Sequence, residues 1–411
     1  MFTKREFNVT LPYQDLPPAP EIRFCCDVSI IIKIFVARDR SLQHEITCNG
    51  GIMKVAIAGL SNSGKTTVFN ALTGLNIDTT IYPTISGEPN IGVVKVPDTE
   101  IDNLTEIYRP KKTTYATIEY VDYLGLTKGD VKQNRKVFDL IKDVDAIVHV
   151  ARAFYDESVI HPMGSINPVR DVETGELELV FADLALIETR LERMEEGRNR
   201  GKKPDEAEKR LLLKCRDSLM KETALRDVEF TKEEMKAMRP LQFLSTIPKV
   251  IVLNTGERPG DTEYAKALES SLMNRYPASN ILTFCGKIEM EISQLPDDER
   301  EPFLKELGIE EPASNRLIQT CYQLLGLISF ITVGEDEVRA WTVRSNTNAL
   351  TAARKIHSDI ERGFIRAEVI SYNDFIVSGG MHAAREKGLL RLEGKTYEVQ
   401  DGDIINFRFN V

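Results

Sequence analysis

Beyond residue 52, short apolar runs alternate with stretches of helical period. Lys54 to Ala58, Gly92 to Val96, Thr117 to Asp122, Ala146 to Val150, Val250 to Asn254 and Ile281 to Cys285 are rich in aliphatic and β-branched residues, as strands buried on both faces must be. Strands separated by helices predict a mostly parallel sheet with helices on both faces. In such sheets a ligand sits beyond the carboxyl ends of the strands. From Leu177 the period changes. Leu177, Val180, Leu184, Ile187, Leu191 and Met194 recur at alternating steps of three and four, a heptad seam, and Leu212, Cys215 and Leu219 share one face of a returning helix. The pattern predicts an antiparallel helical hairpin inserted at about 177–245. Thr231 followed by Glu234 has the form of a capping box, opening a helix that ends near Pro240.

From about Leu327 the texture is that of a small mixed sheet. Ser329 to Val333, Glu337 to Val343, Leu389 to Leu392, Thr396 to Val399 and Ile404 to Phe409 read as strands around one helix, Ala349 to Arg362, with turns at Glu393-Gly394-Lys395 and Asp401-Gly402-Asp403. This stretch holds no carboxylate pair, no Ser/His/Asp pattern and no glycine-rich loop, so residues 327–411 are expected to form a separate binding domain. Trp341, Phe407 and Phe409 are expected in its core rather than as base-stacking platforms. Residues 1–52, with Pro12, Pro17, Pro18 and Pro20, do not continue either pattern. They read as a disordered or appended arm, or, the preferred expectation, as residues ahead of a natural start at Met53.

Composition narrows the class. A chain of 411 residues, 42% hydrophobic, is long enough for two or three domains with a sizeable core. A net charge of −10 and a pI near 5.3 argue against a protein that coats nucleic acid, whose affinity comes from clustered Lys and Arg. Six cysteines (Cys25, Cys26, Cys48, Cys215, Cys285, Cys321) form no CxxC pair and lie near no His at metal spacing, which favours a reducing, cytoplasmic setting over a disulfide or zinc framework. The run Val28 to Ala37, interrupted by Lys33, is too short to cross a bilayer, and no membrane association is expected.

Candidate chemistry begins at Gly59-Leu60-Ser61-Asn62-Ser63-Gly64-Lys65-Thr66-Thr67, between a strand and a helix-compatible run. It fits GxxxxGK[ST]. Such a loop curls successive N–H groups around phosphate oxygens and adds the positive end of the following helix. Lys65 would reach the β and γ phosphates, and the Thr66 hydroxyl would ligate Mg2+. Asp122-Tyr123-Leu124-Gly125 is the DxxG element at the end of its strand, with Asp122 near the metal and the Gly125 N–H at the γ phosphate. Asn254-Thr255-Gly256-Glu257 stands where guanine-specific proteins carry NKxD. Thr replaces the Lys that packs on the base, and the carboxylate is one methylene longer, so guanine preference should be weak. Cys285-Gly286-Lys287 takes the place of the second base-contacting loop. The hairpin tip carries Arg198, Arg200, Lys202 and Lys203, equally readable as an RNA contact or as a solvated loop.

The chain resembles the YchF family, the Obg-like ATPases within the translation-factor class of phosphate-loop NTPases, over nearly everything after Met53. The resemblance rests on the phosphate loop with Asn62, on Tyr82-Pro83 and Glu88-Pro89-Asn90-Ile91-Gly92-Val93-Val94, and on Asp122 to Leu126 with Lys128-Gly129. It continues through Asn254 to Glu257, Val338-Arg339-Ala340-Trp341-Thr342, Lys355-Ile356-His357-Ser358-Asp359 and Gly363-Phe364-Ile365-Arg366-Ala367. It implies a nucleotide domain (53–326) with the hairpin, a C-terminal β-grasp domain of TGS type (327–411), ATP used at least as well as GTP, and association with ribosomes, on the large subunit. It further implies that Asn62, Ser63, Gly64, Lys65, Thr66 and Thr67 bind phosphates, that Thr66 and Ser86 hold Mg2+, and that Asn254, Thr255, Cys285 and Gly286 lie around the base. Thr84 is the fallback for Ser86. Asn62 matches the loop Asn that helps hold K+ in potassium-activated relatives, which makes K+ a second candidate cofactor.

Two departures bear on catalysis, for which Lys65, Asp122 and Gly125 are the candidate residues. Leu126 stands where Ras-like enzymes place a water-orienting Gln. The resemblance would put catalysis in a glycine-rich segment after it, but here Asp130 to Lys136 is shortened, has lost those glycines and contains no His. The first expectation is an ATPase that couples nucleotide state to ribosome binding. The alternative is a nucleotide-gated scaffold with vestigial hydrolysis. A metabolic kinase is disfavoured for want of an acceptor pocket. All five histidines are read as structural or exposed, without paired partners.

Overall fold

The computed structural model describes residues 53–78, 89–123, 125–201, 203, 205–258 and 260–410. The expectations for 1–52 and for the metal ligand at Ser86 or Thr84 lie outside the described residues. In chain order the elements are β1 (Met53–Ala58), α1 (Lys65–Thr73), β2 (Asn90–Lys95), α2 (Thr99–Tyr108), β3 (Lys112–Thr114), β4 (Thr117–Asp122), α3 (Val131–Ile141) and β5 (Ala146–Ala153). The hairpin follows, as α4 (Pro168–Asn199) and α5 (Glu206–Leu219), then α6 (Lys232–Met238). The first half closes with β6 (Lys249–Thr255), α7 (Asp261–Arg275), β7 (Asn280–Phe284), α8 (Gly286–Gln294), α9 (Asp297–Leu307) and α10 (Ala313–Leu324). The remainder comprises β8 (Leu327–Thr332), β9 (Glu337–Arg344), α11 (Ala349–Ile356), α12 (Ser358–Arg362), β10 (Phe364–Ser371), α13 (Tyr372–Ser378), α14 (Met381–Glu386), β11 (Arg391–Glu393) and β12 (Asp403–Phe409).

All six expected strands form the first sheet, in the order β2-β4-β1-β5-β6-β7. Every pairing is parallel except β2 with β4 at the edge. Val55, Ile57, Val148, Val150, Val250 and Val252 are fully buried, which explains why these strands read as unbroken apolar runs. The chain passes from β4 across β1 to pair β5 on its other side, and this reversal of strand order opens a crevice at the carboxyl edge, where the phosphate loop lies.

The hairpin forms where the heptad places it, with its start corrected. Helix α4 begins at Pro168, and its first turns pack on the nucleotide domain. Val180 and Ile187, with Leu184, Leu191 and Met194 beside them, meet Leu211, Leu212, Cys215 and Leu219 of α5. Leu177 stays outside that seam. The insertion is fastened at its base by charge as well as by packing. Glu176 accepts from Arg226 and Lys249, which hold its carboxyl down at about 2 despite burial. Asp183 accepts from Leu244 N at 2.8 Å and Ser245 N at 2.7 Å. Thr231 and Glu234 make the expected capping box.

The C-terminal part differs most from expectation. Its sheet has the order β11-β10-β12-β8-β9-β3. The interior strand β10 was not foreseen, and β3 comes from the nucleotide domain, pairing parallel with β9. One face of this sheet covers α11, and the other packs Ile331, Val338, Ala340, Ile370 and Ile404 into the core that also holds Ile101, Leu104, Leu317 and Cys321. The two halves therefore share a core and are not separate. Thr396 to Val399 is not a ladder strand. Its backbone is used by α11 instead, with Ala349 N donating to Tyr397 O at 2.7 Å and Val399 N to Thr347 O at 2.9 Å. The expected single helix breaks at His357, whose ring accepts from Asp359 N and caps α12. Phe407 is core, Trp341 is half-buried against Phe330, and Phe409 is exposed. Among the described residues no helix is long and apolar enough to cross a membrane.

Candidate functional site

Strand β1 delivers the chain into a loop that only its glycines permit. Gly59 has φ 146°, and a Cβ there would lie 2.3 Å from Val150 O. Gly64 has φ 87°, and a Cβ would meet the Asn254 amide at 2.1 Å. Asn62 takes the left-handed conformation as well, φ 61°, which Asn tolerates better than most residues. Its side chain donates to Ile160 O at 2.9 Å, tying the loop's apex to the 154–166 segment. That segment wraps the buried Arg152, whose guanidinium donates to the carbonyls of Phe154, Asp156 and Val159.

Lys65 and Thr66 open α1, so both side chains rise from the first helical turn beside the loop. Lys65 is buried and donates to Leu60 O at 2.9 Å. Burial lowers its ammonium to about 8, with Asp122 pulling the other way. Thr66 Oγ1 donates to Asp122 Oδ2 at 2.8 Å. Asp122 Oδ1 is buried and has no partner, and burial raises this carboxyl despite Lys65, Thr66 and Asn90. The buried ammonium and the buried carboxylate feel each other's charge but make no direct ion pair, the ammonium being bonded to a carbonyl instead. An orphaned carboxylate oxygen beside a hydroxyl is a hard oxygen donor set of the kind Mg2+ takes, and the ammonium beside it suits a polyphosphate. The residues present thus fit a metal–triphosphate, with Thr66 and Asp122 on the metal side. Bound there, Mg2+ would neutralise charge on the β and γ phosphates. Ser63 Oγ is likewise buried and unpartnered.

The DxxG segment docks directly on the phosphate loop. Leu126 N donates to Gly59 O at 2.9 Å and Ser61 N to Leu126 O at 3.3 Å, a single parallel bridge. A Cβ on Gly125 would lie 2.7 Å from the Ser61 backbone. Beyond it, Asp130 to Lys136 is not a trimmed loop but the start of α3, with Asp130 capping Gln133 N.

On the base side Thr255 is buried at the end of β6. Asn254 is occupied at both ends of its amide, Nδ2 donating to Ser63 O at 3.0 Å and Oδ1 accepting from Gly286 N at 3.0 Å. It fixes the phosphate loop and the Cys285-Gly286 loop against each other. Gly286 leaves no room for a Cβ, which would come within 2.9 Å of Asn254 Oδ1. Glu257 is engaged by Lys287 at 3.1 Å. Thr255, Glu257 and Cys285 line a cavity of about 290 Å3 that continues to Arg316, and burial pushes the Cys285 thiol up. Asn62 to Thr67, Asp122, Gly125, Asn254, Thr255, Cys285 and Gly286 thus share one crevice.

The sequence reading missed His161. It is buried and pairs with Asp171 at 2.8 Å, which also binds Arg170, so it does not lack a partner. His357 and His382 face Asp359 and Glu386 as well. Nothing in spacing announces His161, because its carboxylate partner lies ten residues on, in the first turn of α4.

Comparison with known proteins agrees with this architecture. Residues 54–174 match the family model MMR_HSR1, described as 50S ribosome-binding GTPase. Residues 327–410 match YchF-GTPase_C, described as a protein of unknown function (DUF933). The chain is 41% identical over 367 residues to the ribosome-binding ATPase YchF of Bacillus subtilis (strain 168), covering 87% of this chain and 100% of that one. It is 40% identical over 362 residues to the protein of the same description from Escherichia coli O157:H7, covering 87% and 99%. The solved structure of the Schizosaccharomyces pombe YchF GTPase superposes with a TM-score of 0.74 at 27% identity, over 87% of this chain and 97% of that one. With a phosphate loop, a docked DxxG segment and a hairpin in one chain, and relatives matched from end to end, this protein belongs to the YchF family.

Proposed function

We propose that this chain is a Mg2+-dependent ATPase whose nucleotide state governs binding to the ribosome. The observation that carries the reading is the pairing of buried Lys65 and Asp122 with the half-buried Thr66 hydroxyl, one carboxylate oxygen of Asp122 being left unpaired. The relatives named as ribosome-binding ATPases supply the partner. Lys65 would draw charge from the γ phosphate as the bond to the β phosphate breaks, and the loop amides from Asn62 to Thr67 would cradle the oxygens. The Gly125 N–H would meet the terminal phosphate. ATP is favoured over GTP because Glu257 is held by Lys287 and no Lys packs on the base. Asn62 would meet K+ with its side-chain carbonyl oxygen, and the bond from its amide nitrogen to Ile160 O fixes where that oxygen stands.

Contact with the large subunit and its RNA is assigned to the C-terminal sheet more than to the hairpin tip. Arg198 and Arg200 at the tip are paired with Glu195 and Glu196, whereas Arg366 is exposed beside the apolar Ile365 and Phe409 along the β10 and β12 strands. Hydrolysis of ATP by the purified protein, measured with and without ribosomes, tests the proposal. Turnover that ribosomes stimulate, and that Lys65→Ala removes, is expected. Ribosome binding that depends on ATP yet proceeds without any hydrolysis would favour the scaffold alternative.

A further inference from the structure

Leu126 is buried and apolar, so the position after Gly125 offers nothing to orient water or to fix a phosphate. On the side away from the phosphate loop, a polar side chain reaches that segment from the first turn of α3. Asp130 caps the turn by accepting from Gln133 N at 3.0 Å. The Gln133 side chain then reaches back over the loop, and its Nε2 donates to Gly125 O at 3.0 Å. The same peptide unit is held at its other end, where Leu126 N donates to Gly59 O at 2.9 Å. One peptide therefore has both its polar groups fixed, one by the phosphate loop and one by Gln133. Gly125 has no slack with which to adjust, because the Ser61 backbone fills the space a Cβ would need.

The next residue works on a different part of the segment. Asn134 is fully buried, accepts from Thr127 N at 3.0 Å, and donates to Thr127 O and to Glu178 Oε2, each at 2.8 Å. Glu178 in turn accepts from Gly129 N at 2.9 Å. These bonds hold the chain after Leu126 and reach the phosphate loop only through it. Gln133 alone of the three side chains bonds to Gly125 itself.

We infer that Gln133 is a positioning residue for hydrolysis: by holding the Gly125 carbonyl it fixes the DxxG backbone against the phosphate loop and sets where the Gly125 N–H meets the terminal phosphate. The inference rests on the proposed role of Gly125 at that phosphate. Donors placed before the reaction need no reorganisation as charge develops, so an error in their placement falls on the rate more than on ground-state binding.

The test compares Gln133→Ala, Gln133→Glu and Gln133→Arg with the unaltered chain, in the presence of ribosomes. Glu keeps the shape but turns an acceptor toward a carbonyl, while Arg restores a donor. The readouts are the single-turnover rate of ATP hydrolysis, the dissociation constant for a non-hydrolysable ATP analogue, and the melting temperature. Losing one such bond predicts a rate lower by roughly tenfold to a hundredfold for Ala and Glu, with analogue affinity changed less than about threefold, and partial recovery with Arg. Glu and Ala rates within twofold of the unaltered chain would overturn the inference. A rate loss matched by equal losses in affinity and melting temperature would overturn it too, in favour of a purely structural role. If the unaltered chain itself neither binds the analogue nor hydrolyses ATP, the underlying functional proposal falls with it, and the two failures are thereby told apart.

Discussion

Asn254 acts through two backbone atoms, the Ser63 carbonyl and the Gly286 amide, so its worth is the cost of leaving them unpaired. Replacing it by Ala strands a buried donor and a buried acceptor, at about 1–3 kcal/mol each before relaxation. Asn254→Ala is predicted to weaken ATP and GTP alike by roughly ten- to a hundredfold, because its amide ties loops to each other. Titration calorimetry with both nucleotides checks this, and a loss confined to one purine would contradict it. His149 carries a prediction of a different kind. Burial, aided by the Lys249 charge, lowers its ring to about 3 from 6.5, so the folded chain keeps it neutral while the unfolded chain takes up a proton below 6.5. Stability is therefore lost as pH falls from 6.5 toward 3, by about 2 kcal/mol at pH 5 from this group. His149→Gln should shrink the difference between urea unfolding free energies at pH 7 and pH 5 by about that amount; an unchanged difference would refute it. The phosphate-loop residues were legible from sequence because spacing alone specifies them. The tasks of Asn254, His161 and Gln133 were not, since each depends on a partner brought near by the fold.

Helix α4 shows what periodicity sees and what it misses. Its outer half is a heptad seam and was read correctly, but its first turns bury Asp171, Thr174, Gly175 and Glu176, which no apolar count registers. Those positions are polar because they are paired: His161 takes Asp171, and Arg226 and Lys249 take Glu176. Removing one partner of such a cluster leaves charge buried without compensation. Glu176→Gln is predicted to destabilise the chain by about 3–5 kcal/mol, read by urea unfolding at neutral pH, with a loss under about 1 kcal/mol counting against it. Strand β10 was overlooked for a related reason. Its register shifts between Phe364 and Arg366, and Glu368 in its middle is buried against Arg408, Asn406 and Arg385. An interrupted alternation with a charge at its centre does not look like an interior strand of a sheet. It is stable there because three donors surround the carboxylate.

At the scale of the whole molecule, nucleotide site and C-terminal sheet belong to one packed body. Strand β3 lies just before β4, which ends in Asp122, and pairs with β9 of the second sheet, while α10 contributes Leu317, Ile318 and Cys321 to a core the two sheets share. A change at the metal side of the crevice thus has a continuous packed path, through the shared core and across the second sheet, to the exposed strands assigned to the ribosome. That path matters only if the crevice takes up a triphosphate. Titration of the full chain with ATP and with GTP in the presence of Mg2+, repeated on Lys65→Ala, tests this most directly. The account predicts saturable ATP uptake, GTP bound no better than ATP, and loss of both in the variant. No uptake of either nucleotide, or GTP preferred by orders of magnitude, would contradict it.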